Sequence, residues 1–237
     1  MRKTAAVVWK EVRSYFSSPM AYAVAGVFVG LTGYFFVDGL SGPIPEATVR
    51  PYTDSATFVL VLLAPLLTMR LLAEEHKLGT SELLLTAPIR DWEVALGKFL
   101  ASLIFFVASI ALTLFYVALL YWVGNPDTGP ILTAYLGLVL FAGAALSIGL
   151  FTSSITDNQI VAAVLAAGAL LMLTVIQLAA DQTGGVIATV LREVSMAEHY
   201  GDFSRGILSL RGVVYYVSVM AVFLFLTVRS LESRRWR

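Results

Sequence analysis

The chain has 237 residues, 58% of them hydrophobic and only 14% charged, against roughly 25% charge in soluble domains, so an ordinary soluble domain is excluded in favour of an integral membrane protein. Sixteen basic residues balance sixteen acidic ones and cysteine is absent, which leaves bulk charge no reason to draw nucleic acid and excludes a disulfide or thiolate metal site. Runs such as 99–123 are apolar on every face rather than alternating, so the spans are helices, a transmembrane barrel is excluded, and the fold class is all-α.

In chain order, the first nineteen residues place Val8, Trp9, Val12, Tyr15 and Phe16 at helical spacing, with Lys3, Lys10 and Arg13 available to anionic headgroups. This predicts an interfacial helix over 1–19 that contacts membrane lipids, ended by Pro19 where the chain turns into the membrane. Lys10, Glu11 and Arg13 stand where a signal peptide needs an apolar core, so the segment is expected to be mature sequence. Six spans follow, over 20–37, 57–72, 96–123, 131–151, 160–180 and 213–228. The second and sixth are short, and Pro65 inside the second predicts a kinked or thinned region.

Between the second and third spans lies a charged insert, residues 70–98. Gly79 is placed to end a helix leaving the membrane through Glu74, Glu75 and Lys77. Thr80 or Ser81 can cap a new short helix carrying Glu82, Leu83, Leu84 and Leu85, closed by Pro88, and Asp91 is the expected N-cap of the third span, with Trp92 at the interface. Three leucines on a short helix outside the membrane call for a packing surface, and a partner protein accounts best for them together with the dense charge of both signs. Residues 38–56 and 124–130 read as a loop and a tight turn. Residues 181–212 are semi-apolar and predict two short helices before the last span.

Lysine and arginine accumulate on the cytoplasmic side of membrane proteins. Twelve of the sixteen lie on one side: Arg2, Lys3, Lys10 and Arg13; Arg70, Lys77, Arg90 and Lys98; Arg229, Arg234, Arg235 and Arg237. Arg50, Arg192, Arg205 and Arg211 lie on the other. Both termini and the insert are therefore expected in the cytoplasm, and residues 181–212 outside.

The stretch EEHKLGTSELLLTAPIRDWEVALGKF resembles the pattern of ABC-2-type transporter permeases, in which an acidic pair, Gly-Thr, Glu, leucines and a Pro precede a Gly-Lys. WKEVRSYFSSPMAY is similar to that family's N-terminal interface helix, here Trp9, Lys10, Arg13, Tyr15 and Phe16, and EHYGDFSRGILSLRGVVYY to its extracellular segment before the last span. The compact six-span form is most similar to the gliding-motility-associated permeases. The resemblance implies a single transmembrane domain over 1–237 in a bacterial cytoplasmic membrane. It implies a dimer with a second copy or a related permease, and two ATPase subunits on separate chains that carry the ATP and magnesium. Coupling to those subunits then falls on region 70–95, at Glu74, Glu75, Lys77, Gly79, Thr80, Glu82, Leu83, Leu84 and Thr86. The implied function is export, or alternatively mechanotransmission to a periplasmic partner without transport; outside the resemblance, an ATP-independent channel or carrier is a further alternative.

Independently of the family, the sequence holds no GxxxxGK[ST] phosphate loop, no HExxH and no GxSxG, so neither its own ATPase nor the common hydrolase chemistries are expected, and no cofactor is assigned to this chain. His76 reads as solvated or partner-facing. Glu198, His199 and Asp202 share one helix and have the makings of a weak cation site, but local capping and an Asp202–Arg205 pair explain them more simply. Gly26 and Gly30 form GxxxG, and Gly143, Ala144, Ala145, Ser147 and Gly149 line the fourth span with small residues, suited either to packing within one subunit or to a dimer face. Gln177 is the main polar group at depth, which argues against an ion-coupled carrier, whose pathway needs ionisable groups.

Overall fold

A computed structural model describes residues 2–41, 48–79 and 89–235. Helix α1 (Arg2–Ser17) ends at Ser18, whose extended backbone passes into Pro19, the first residue of α2 (Pro19–Leu40). Proline is favoured there because its missing N–H has no partner in a first turn. The remaining helices are α3 (Arg50–Thr68), α4 (Ala73–Lys77), α5 (Asp91–Leu112), α6 (Leu114–Val123), α7 (Thr128–Ile155), α8 (Gln159–Gln182), α9 (Gly185–Val194), α10 (Met196–Ser204) and α11 (Leu210–Arg235). Among the described residues there is no strand. Six stretches are long and apolar enough to cross a membrane: α2, α3 with α4, α5 with α6, α7, α8 and α11. The two short helices expected before the last span are α9 and α10.

The second span is not thin. It starts at Arg50 rather than at 57 and is the most deeply packed of the six, with 72% of its apolar stretch buried. Its first turns were hidden because they are polar by composition yet paired inside the bundle. The Tyr52 hydroxyl meets that of Tyr135 on α7 at 2.6 Å, and Tyr135 meets Thr113 at 2.9 Å. The sixth span likewise runs longer than expected, from Leu210. The third begins at Asp91 and is interrupted at Thr113, whose hydroxyl turns back onto the Ile110 carbonyl.

Helix α7 is the spine of the bundle, 67% buried, whereas α8 and α11 bury only 17% of theirs and expose apolar faces. Its small residues serve packing within this chain. A Cβ at Gly149 would collide with the Thr68 side chain of α3, and one at Gly143 would stand 2.7 Å from Met220 Sδ of α11. Gly26 and Gly30 by contrast face open space.

Where α3 gives way to α4, the backbone leaves its helical ladder inside a packed environment. Ser153 of α7 resolves this, since its hydroxyl accepts from the N–H groups of Leu72 (3.1 Å) and Ala73 (3.0 Å) and donates to the Met69 carbonyl (3.1 Å). A helix break in an apolar setting persists only if the freed groups find such partners. Ser153→Ala strands two buried N–H groups and is expected to cost about 1–3 kcal/mol, read by unfolding in mixed SDS and detergent micelles. Ser147→Ala, which removes a bond to a carbonyl of its own helix, is expected to cost less.

Candidate functional site

Lys98 lies two turns inside α5, about 10 Å beyond its start at 1.5 Å per residue, and is 2% exposed. An ammonium so placed is tolerated only when paired. Its Nζ donates to Glu75 of α4 at 2.8 Å and to Glu11 of α1 at 3.1 Å. Lys10 stands 3.5 Å from Glu11 and 4.0 Å from Glu75 at the exposed rim, so two ammonium groups balance two carboxylates. Gly97 makes this possible, because a Cβ there would sit 2.6 Å from Val7 Cγ1 and hold α1 away. The Gly-Lys pair thus has two separable jobs: the glycine admits α1, and the lysine binds it to α4.

Of the expected interface residues, Tyr15 turns into the bundle. Its ring stacks on Phe105 at 5.3 Å and its hydroxyl donates to the Leu67 carbonyl. Burial, with Glu11 adding to it, pushes the Tyr15 hydroxyl well above its usual pKa and keeps it a donor. Trp9, Lys10, Arg13 and Phe16 point outward, Trp9 at 68% exposure, although the Phe16 edge still touches Phe105.

In the insert, Glu74 is half-buried, Glu75 is committed to Lys98, and Lys77 is exposed. Gly79 has a φ of +69°, the left-handed conformation that ends α4. Thr80, Glu82, Leu83, Leu84 and Thr86 lie outside the described residues, as does the helix expected there. When the chain resumes, the N-cap is Arg90 rather than Asp91, because Glu93 reaches back to accept from the Arg90 N–H at 3.0 Å. A Glu at the third helical position makes this bond readily. Trp92 is 40% exposed. A cavity of about 390 Å³ opens between α1, the start of α2 and the α3–α4 corner, lined by Glu11, Tyr15, Arg70, Glu74, Leu78 and Lys98.

The same end of the bundle holds the close of α11, where Arg234 pairs with Asp157 at 2.6 Å and Ser230 donates to the Ser154 carbonyl. The close of α11 and α1 therefore lie at the end that carries α4. His76 is half-buried and its Nε2 has no hydrogen-bond partner.

The sequence places Lys98 among the charges of the insert and gives Glu11 no partner. The available signal was position, since a helix starting at Asp91 carries Lys98 into its second turn. His199 is 5% exposed, donates from Nδ1 to the Ser195 carbonyl at 2.8 Å and stacks on Tyr215 at 4.0 Å, so it is a packing residue. Glu198 and Asp202 instead border a second cavity at the opposite end. Asp202 and Arg205 do not pair: no salt bridge joins them among the described residues. No group of three His, Asp or Glu able to hold a metal occurs among the described residues.

Comparison with known proteins places this geometry in a family. Residues 6–227 match the model of the ABC-2 family transporter proteins. A probable multidrug ABC transporter permease, YbhS, of Escherichia coli K12 is 30% identical over 115 residues, and the same permease of Escherichia coli O157:H7 matches equally. That match takes in 48% of this chain and 30% of the relative, so the chain spans about a third of the length of the curated relatives it matches.

The buried cluster has a defined energetic signature. Removing only the ammonium, as in Lys98→Met, leaves two facing carboxylates and is expected to cost about 3–5 kcal/mol, whereas replacing the whole cluster by neutral groups is often nearly neutral. Lys98→Met combined with Glu11→Gln and Glu75→Gln should therefore recover most of the loss in the same micellar unfolding assay.

Proposed function

The chain belongs to the ABC-2 family of transporter proteins, as a transmembrane permease subunit of an ABC transporter, and from that membership we propose that it converts ATP hydrolysis by separate subunits into export across a bacterial cytoplasmic membrane. The observation that supports this reading best is the Lys98 cluster. The insert follows directly from α4, and α4 is bound through Glu75 to Lys98 of α5 and through it to Glu11 of α1. A push on the insert is thereby delivered to a span and to the interface helix together. Packed elements with discrete arrangements transmit such displacements, in contrast to slack loops.

In this reading the contact with the ATPase falls on Glu74, Lys77, Gly79, Thr80, Glu82, Leu83, Leu84 and Thr86, with Glu75 acting inward as the connection to the bundle. The charge distribution supports a cytoplasmic placement of the insert and both termini, and the exposed Trp9, Lys10 and Arg13 of α1 suit the headgroup layer. Two permease chains and two ATPase subunits, the latter holding ATP and magnesium, make up the working complex. The near absence of free charge at depth suits an amphipathic substrate, in keeping with the relative's name as a probable multidrug permease. The compact form supports kinship with the gliding-motility-associated subgroup.

A second reading keeps the same power stroke but delivers it to a partner beyond the membrane. It is favoured by α9, which buries no residue and exposes Val186 at 80% and Ile187 at 64%. Glu82→Ala with Leu84→Ala separates coupling from insertion. Membrane levels of the permease should be unchanged, while co-purification of the ATPase falls by roughly tenfold or more, the loss expected when interface hot spots are truncated. Unchanged assembly and transport in that double variant would contradict the coupling assignment.

A further inference from the structure

At the end of the bundle opposite Lys98, a cavity of about 420 Å³ lies between the start of α3, the end of α8 and the face of α10. This volume falls within the roughly 300–1,000 Å³ of small-molecule sites. Five charged residues border it: Arg50 and Asp54 from α3, and Glu198, Asp202 and Arg205 from α10 and its C-cap. Among the described residues none of these five side chains makes a salt bridge or hydrogen bond. The contrast with neighbours in the same segment is direct, since Arg192 pairs with Asp181 and Arg211 with Glu193. Charges that pair readily nearby are held apart around this one volume.

The cavity walls are also polar below the rim. Thr57, Thr174 and Gln177 line it, and Gln177 and Thr174 lie about 8 and 12 Å inside the end of α8 at 1.5 Å per residue. The two threonine hydroxyls spend their protons on backbone carbonyls of their own helices, both at 2.7 Å, which leaves oxygen lone pairs free to accept. Ser204, 1% exposed, forms part of the wall, with its Oγ enclosed behind it. Uncommitted charges of both signs around one open volume mark a place where a ligand completes the set.

The mixture of signs limits the ligand. A purely anionic molecule would face Asp54, Glu198 and Asp202, and a purely cationic one would face both guanidinium groups. A group carrying an ammonium and a phosphate a few bonds apart satisfies both, with the phosphate on the planar donors of the arginines. Helix α8, one wall of the cavity, is only 17% buried, so the notch is open to molecules moving along the surface of the bundle. We propose that this cavity is a binding site for the phosphoethanolamine headgroup of a membrane lipid. The assignment does not depend on coupling to an ATPase.

The test uses the full chain in detergent micelles, titrated with dioleoylphosphatidylethanolamine or dioleoylphosphatidylglycerol and read by native mass spectrometry. The ethanolamine lipid should saturate at one copy per chain with a preference of about tenfold or more, the factor that one well-made ionic contact supplies. Asp54→Asn with Asp202→Asn, which removes carboxylates that face the ammonium, should abolish that preference, whereas Arg50→Gln with Arg205→Gln should weaken the binding of both lipids, which share the phosphate. Ser204→Ala, which removes an enclosed, unsatisfied hydroxyl and so should fold at least as well as the parent, is the control and should leave the preference unchanged. Competition by soluble glycerophosphoethanolamine distinguishes sources: no displacement supports a lipid-held headgroup, and displacement at equal concentration overturns the lipid assignment in favour of a soluble phosphoethanolamine. Equal retention of both lipids, a preference that survives the carboxylate pair, or binding of both lipids undiminished by the arginine pair overturns the site itself.

Discussion

An ammonium group that is 2% exposed inside an otherwise apolar helix must be surrounded by carboxylates, and Lys98 recruits them from two other elements. That requirement fixes where α1 and α4 lie. Glu11 is brought in from the N-terminal helix, 87 residues away in sequence, and Glu75 from the short helix that leads into the insert, 23 residues away. Buried ion pairs contribute little net stability, because desolvation offsets their attraction, but breaking one is expensive. Their usual consequence is a defined arrangement. Here the arrangement unites the N-terminal helix, a span and the start of the charged insert.

The rest of that end of the molecule follows the same principle of completing polar groups across elements. Ser153 closes the backbone where the second span breaks between Thr68 and Ala73, so α4 can leave the axis of α3 while the freed groups stay bonded. Gly149 and Gly97 supply the close approaches on which these bonds depend, one against Thr68 and the other against Val7. Arg234 with Asp157 brings the end of the last span to the same corner. A displacement applied at α4 therefore meets a set of bonded neighbours. This is the physical content of the coupling role proposed for α4 and the insert.

Six spans and an all-helical fold were legible in the sequence because apolar runs of membrane length have few other uses. Their ends were less legible. Tyr52 and Thr53 read as loop residues by composition, yet the structure pairs or buries them, and the second span consequently begins at Arg50. Asp91 has the composition of a cap, but Glu93 makes Arg90 the cap. The family motif brought attention to the insert and to Gly-Lys, but it did not reveal that Lys98 faces inward, because its partners are distant in sequence and pairing is a tertiary fact. Ser153 was equally hidden, one small residue among several on the fourth span. The expected Asp202–Arg205 bond followed helical spacing, but spacing does not fix which way two side chains at the border of an open cavity turn.

The central claim is that α1, α4 and the start of α5 move as one body. The natural absence of cysteine allows a spin label to be placed at Trp9→Cys on α1 and another at Leu78→Cys after α4, both well exposed positions. Pulsed electron–electron distance measurements on the complex reconstituted with its ATPase, with and without nucleotide, test the claim directly. The account predicts one narrow distance that persists through the nucleotide cycle and broadens when Lys98→Met is introduced. A distance that changes with nucleotide in the parent chain, or that stays narrow without the lysine, would contradict it.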